Sequence, residues 1–227
     1  MRKPSPRQGI AFLRRKNAIS VTTTDAYAAI KAASEEYRRV YESNLRDTVA
    51  SEVGGNLKAA LLKVIDSALG KGRLSPDDEE VPEFAQRLFK AGEDKIGTNT
   101  SVFIDICAGY TREFVAKVSA YYARNFKGNS LKRVIKSELS GDIEKCLLAL
   151  VTPNDELFGD KLHKAMKGMG TDEATIIRIV AGQRDFELNG IAEYYLKKND
   201  KDLSVAIGKE MGGDTGRTLT AIVKAHA

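Results

Sequence analysis

Three short segments share one pattern, and that recurrence limits what the chain can fold into. They read Ser51-Glu52-Val53-Gly54-Gly55, Ser137-Glu138-Leu139-Ser140-Gly141 and Lys209-Glu210-Met211-Gly212-Gly213, with the glutamates 86 and 72 residues apart. The residues leading into them keep step: Tyr37, Tyr122 and Tyr195, then Leu45, Leu131 and Leu203. A second correspondence joins Leu88-Phe89-Lys90-Ala91 with Leu162-His163-Lys164-Ala165, each followed by a glycine-rich loop ending in Gly-Thr. Ordered matches of several segments mark an internal repeat.

The repeat is helical. In the last unit Leu157, Phe158, Leu162 and Ala165 share one side of a predicted helix over Glu156–Met166, and Ile176, Ile177, Ile179 and Val180 mark another over Asp172–Ala181. Thr171 is the expected N-cap of the latter, with Asp172 and Glu173 in its first turn, where the macrodipole favours acids. Further helices are expected over Asp185–Lys198, Asp202–Glu210 and Asp214–Lys224, with Asp185 and Asp214 as cap candidates. Residues 81–151 give five helices again, broken at Gly92–Gly97, around Gly109, at Lys127–Asn129 and at Gly141. The expected organisation is an arm over 1–23, a partial repeat of three helices over 24–70, a linker over 71–80, and five-helix repeats over 81–152 and 153–227.

Composition supports an all-α globular protein: 42% hydrophobic, 30% charged and only 5 Pro in 227 residues. The two cysteines, Cys107 and Cys146, lie in apolar runs and read as reduced core residues of a cytoplasmic protein. No apolar stretch reaches the length of a membrane span and no secretory h-region follows the start, so membrane contact is expected to be peripheral. The net charge of +5 favours anionic partners. Six bases (Arg2, Lys3, Arg7, Arg14, Arg15, Lys16) and no acid fall within the first 23 residues, a basic arm in which Pro4 and Pro6 oppose an early helix. An organelle-targeting peptide has similar composition, but Ile10, Phe12 and Leu13 form only a short apolar face.

Ala165-Met166-Lys167-Gly168-Met169-Gly170-Thr171-Asp172-Glu173 is the stretch with the most chemical content. Two glycines at this spacing let the backbone turn sharply and aim carbonyl oxygens at one point, and hard cations take 6–8 such oxygens. By itself, Gly-x-Gly-Thr between helices also reads as a helix-ending glycine followed by a Thr cap.

The run Met-Lys-Gly-Met-Gly-Thr-Asp-Glu resembles the calcium loop of the annexins, and the resemblance extends over about Thr24–Ala227. In that family the completing acid follows the second glycine by about 40 residues, which here is Glu210. The resemblance implies right-handed, five-helix repeats in a slightly curved superhelical array, with calcium loops on a lipid-facing side. It implies Met166, Gly168 and Gly170 as carbonyl ligands of Ca2+ and Glu210 as the carboxylate. The preceding Lys90-Ala91-Gly92-Glu93-Asp94-Lys95-Ile96-Gly97-Thr98 is similar to the longer loop of the family's third repeat and implies a second site of Gly92, Lys95, Gly97 and Glu138. There Asn99-Thr100 replaces the family's Asp-Glu. Glu52 has no such loop, since Phe12 stands 40 residues before it. The family's usual Arg after the second helix of a repeat is Gly109 and Gln183 here, so an altered ion-pair network is expected. The chain matches only the later repeats, which leads to an expectation of pairing with another copy or a partner.

The function implied is calcium-dependent binding to acidic phospholipid membranes. The alternative is a calcium-independent scaffold that holds anionic lipid, cytoskeleton or RNA through the arm and Lys95, Lys164 and Lys167. RNA is the weaker version, because no aromatic platform interleaves these bases. Catalysis finds no support: His163 and His226 belong to no acid–base or metal constellation, and there is no phosphate-binding strand–loop–helix motif.

Overall fold

The fold is built on a corner that recurs three times. Gly55, Gly141 and Gly213 each have positive φ (59°, 73° and 66°) and each begins a helix. An L side chain at such an angle is strained, which accounts for glycine at the third place after each repeated glutamate. Just before the corner, the N–H groups of Val53, Leu139 and Met211 donate to Val49, Ile135 and Ile207, closing the helix that ends in the glutamate.

The computed structural model describes residues 24–70, 74–94, 96–126, 128–168, 170–183 and 185–226. Among them are thirteen α-helices and no strand beyond an isolated bridge of Leu74 with Tyr110. The basic arm and Lys95 lie outside the described residues. Two units divide after Val151.

Unit 1 holds α1 (Thr24–Tyr41), α2 (Leu45–Glu52) and α3 (Gly55–Leu69), a short 3-10 turn at Asp78–Glu80, then α4 (Val81–Ala91), α5 (Thr100–Gly109), α6 (Arg112–Asn125), α7 (Leu131–Glu138) and α8 (Gly141–Val151). Unit 2 holds α9 (Asn154–Met166), α10 (Glu173–Gly182), α11 (Asp185–Asn199), α12 (Leu203–Glu210) and α13 (Gly213–Ala225). The two sets of five pack alike: the first helix lies on the second and third, and the fifth is covered by the second, third and fourth. In unit 1, α3 meets α1 and α2 and also packs on α5 and α8.

The helices follow from period and caps. In α7, Leu131, Val134 and Ile135 are fully buried at i, i+3, i+4 spacing while Arg133 and Lys136 face out. Side-chain caps start several helices: Thr111 accepts from the Phe114 N–H, Ser130 from Arg133 and Asp202 from Val205. The core of unit 1 centres on Leu88, Phe103, Ile106, Tyr122 and Leu147, that of unit 2 on Phe158, Leu162, Ile176, Leu188 and Ile191. Burial of each large side chain stabilises by about 1.5–3 kcal/mol. Cys107 and Cys146 are buried and form no disulfide.

Two cap expectations are corrected. Thr171 does not cap α10; Asp172 does, accepting from the Thr175 N–H at 3.1 Å and from the Thr175 hydroxyl at 2.8 Å. Asp214 is not a cap either, because the helix begins at the positive-φ Gly213, with Gly212 as N-cap. Two bases meet one carboxylate beside Gly109. Lys63 from α3 reaches Asp105 at 2.6 Å, Arg87 lies 3.5 Å from the same carboxylate, and a methyl group on residue 109 would come within 3.0 Å of Lys63 Cε.

Candidate metal centres

In unit 2 the loop leaves α9 at the buried Met166, and Gly168 and Gly170 have φ of 118° and 98°. A methyl group on either glycine would meet nothing within 4 Å, so the backbone angle, not packing, calls for glycine. The loop is closed by the Asp172 N–H donating to the Ala165 carbonyl at 2.9 Å. Among the described residues the carbonyls of Met166, Gly168 and Gly170 accept no backbone hydrogen bond. Glu210 ends α12, and the Thr171 hydroxyl donates to its Oε2 at 3.2 Å, tying the loop to the fourth helix. Beneath lies buried Tyr195, its hydroxyl pushed above the ordinary value by burial and, next, by the charge of Glu210.

Unit 1 repeats the plan with one residue more between Ala91 and Thr98. The Asn99 N–H donates to the Ala91 carbonyl at 2.7 Å, and Thr98 donates to Glu138 Oε2 at 2.6 Å. Gly97 has φ of 82° with open space around it. Gly92 is buried, and a methyl there would lie 3.2 Å from the Phe103 ring and 3.3 Å from Glu138 Cγ. Phe103 and Glu138 thus take up the space that a side chain at residue 92 would need.

A further group joins this loop. Glu93 Oε2 accepts from the Tyr122 hydroxyl at 2.5 Å and its Oε1 from Asn129 Nδ2 at 2.8 Å. Tyr122 is fully buried; burial, then its bond to Glu93, then the charges of Glu93 and Glu138, push its hydroxyl far above the ordinary value.

Both loops therefore stand beside the expected glutamates, and in both a threonine hydroxyl makes the link. Sequence reasoning missed Thr98, Thr171 and the group of Glu93, Tyr122 and Asn129. The in-step tyrosines were a signal for the last, but the bond from Tyr122 to Glu93 spans 29 residues. Among the described residues no three His, Cys, Asp or Glu side chains gather as metal ligands, so a cation at either loop would draw mainly on backbone oxygen, which suits a hard ion.

Comparison with known proteins identifies the repeat and the fold. The annexin family model matches residues 83–150 and 158–222. The chain is 32% identical over 211 residues to annexin A1 isoform p37 of Columba livia, covering 90% of this chain and 60% of that one. It is 31% identical over 209 residues to annexin A13 of Homo sapiens, covering 90% and 65%. The chain thus spans less than two thirds of the length of these relatives. The solved structure of annexin III superposes with a TM-score of 0.83 at 30% identity, covering 99% of this chain and 73% of that one. With two matched segments that together exceed half its length, the chain belongs to the annexin family.

Proposed function

We propose that the chain binds acidic phospholipid surfaces in a calcium-dependent way, through the loops of both units. The observation that supports this most is the pairing, made twice, of a glycine loop with a glutamate from the end of a fourth helix. In unit 2 the carbonyls of Met166, Gly168 and Gly170 and the carboxylate of Glu210 would hold the ion. In unit 1 Gly92, Gly97 and Glu138 would do so, with Lys95 as the remaining carbonyl ligand. Three carbonyls and a bidentate carboxylate give five oxygens of the 6–8 that calcium takes, so a bound calcium ion would supply open positions for a lipid phosphate oxygen. Thr98 and Thr171 hold the carboxylates toward their loops before an ion arrives.

Among the described residues no helix is long and apolar enough to cross a membrane, so the contact is proposed as peripheral. The annexin family is in general non-enzymatic. The second reading, charge attraction without calcium, draws on the placement of the charge. Of 36 Lys and Arg and 31 Asp and Glu, six bases and no acid lie in the first 23 residues, and the rest of the chain is close to neutral.

Co-sedimentation with phosphatidylserine vesicles, with calcium titrated against a chelator, separates the two. Calcium-driven docking predicts that the wild type pellets only with calcium and that Glu210→Gln needs far more of it. Pelleting of both in chelator, fading as salt is raised, would instead assign binding to the basic charges.

A further inference from the structure

We infer that Glu93 is a positioning residue of the unit 1 loop, whose carboxylate anchors the loop to the repeat's third helix instead of binding an ion. An acid inside a loop of this kind invites the opposite assignment. Both of its oxygens are already committed, one to Tyr122 on α6 and one to Asn129 between α6 and α7. Hydrogen bonds to a charged acceptor are roughly twice as strong as neutral ones, and Tyr122 is fully buried, so the anchor point is fixed in the core.

The loop has particular need of such an anchor. Six residues separate Ala91 from Thr98 in unit 1, and five separate Ala165 from Thr171 in unit 2. Aligned from those alanines, Lys167 takes the place of Glu93, and from the leucines Leu131 and Leu203, Lys201 takes that of Asn129. The shorter loop thus lacks the acid and the amide of the anchor and keeps only the tyrosine, Tyr195. In the longer one, Glu93 follows directly on Gly92, whose missing side chain leaves the room that Glu138 Cγ borders. Fixing residue 93 therefore fixes the carbonyl of Gly92 beside the carboxylate expected to share its ion.

The calcium arm of the test rests on the reading of this loop as a calcium site; the exchange arm does not. Amide hydrogen exchange is followed over residues 92–99 of the calcium-free full chain for wild type, Glu93→Ala, Tyr122→Phe and the double variant. Calorimetric titration with calcium alone is then run on the same set in a Glu210→Gln background. Exchange is expected to quicken about tenfold in Tyr122→Phe, which removes one charged hydrogen bond, by more in Glu93→Ala, which removes two, and no further in the double than in Glu93→Ala. Calcium affinity is expected to fall by a similar factor in both singles, with partial recovery in Glu93→Gln, which keeps one acceptor oxygen. Unchanged exchange in both singles overturns the anchor. So does loss of affinity in Glu93→Ala alone with Tyr122→Phe unaffected, since that pattern marks a direct ligand. Absence of any calcium heat in the unmutated loop would sink the calcium reading, and the exchange data would still decide the anchor.

Discussion

The two loops solve one problem by different means. In unit 2, two positive-φ glycines shape a short loop whose carboxylate, Glu210, is exposed and joined to Thr171 at 3.2 Å. In unit 1 one positive-φ glycine remains, the loop is longer, and side chains do the shaping: Thr98 lies 2.6 Å from the half-buried Glu138, and Glu93 is bound twice. Backbone geometry needs no partner and survives most changes around it. Side-chain anchoring fixes a longer loop but fails when one partner is lost. The helix scaffolds beneath are packed alike, so the difference lies in the loops and a few contacts near them.

The largest expected effect falls on unit 2 alone. At Gly216 in α13 an added methyl group would lie 2.0 Å from the Met211 carbonyl oxygen, and the same place in α8 holds Glu144. Gly216→Ala should cost about 3 kcal/mol, read as faster amide exchange through α9–α13 with α4–α8 unchanged. Equal loosening of both units would break the comparison. Next comes Gly159, where a methyl group would meet Tyr194 Cδ1 at 2.5 Å. Unit 1 carries the fully buried Ala85 at that place. The ring can shift, so Gly159→Ala should cost about 2 kcal/mol in urea unfolding, and a cost near zero would show that Tyr194 moves freely.

A smaller effect is expected at the carboxylates. Glu138→Gln should raise the calcium needed for vesicle pelleting about tenfold, equivalent to ~1.4 kcal/mol. If Glu138→Gln titrates like wild type, calcium docking belongs to unit 2 alone. The smallest effect separates two caps at one position, Ser130 in unit 1 and Asp202 in unit 2. The Ser204 hydroxyl first, then the Val205 N–H, hold the Asp202 carboxyl below its usual 3.8. Its stabilisation is therefore present above that value and lost as pH falls through the lower, folded-state value. Asp202→Ala should cost about 1 kcal/mol at neutral pH, while Asp202→Asn should keep most of the stability and remove this acid-dependent part. Ser130→Ala should cost about as much with no such pH dependence.

Much of the helical layout was legible, because apolar period and glycine or asparagine breaks are local signals. The helices of residues 81–151 break where the glycines and Asn129 stand, and Leu131, Val134 and Ile135 announce their buried face. The cap at the unit 2 loop was misread because Thr171 and Asp172 are adjacent and both suitable. What decides between them is Glu210, 39 residues on, which takes the threonine hydroxyl and leaves the aspartate to the helix. The glutamates were legible as a repeat, but their place beside the loops only through spacing known from a family. The anchoring of Glu93 was hidden for the same physical reason as the cap: its partners converge in space from distant parts of the chain. Lys63 at Asp105 is a third case, since it reaches into room left by the missing side chain of Gly109.

The recurrent corner has a consequence for how such a chain can change. Because Gly55, Gly141 and Gly213 turn the chain for reasons of backbone geometry, each repeat is handed a glutamate at the end of its fourth helix whether or not an ion is wanted there. Glu52 holds that post without a glycine loop in the sequence before it. On the proposed calcium reading, half of each site is thus standing equipment of the architecture, and the other half is a cassette of five or six residues. On that reading, transplanting or trimming the cassette would change what a repeat can bind while the helices that carry it stay as they are.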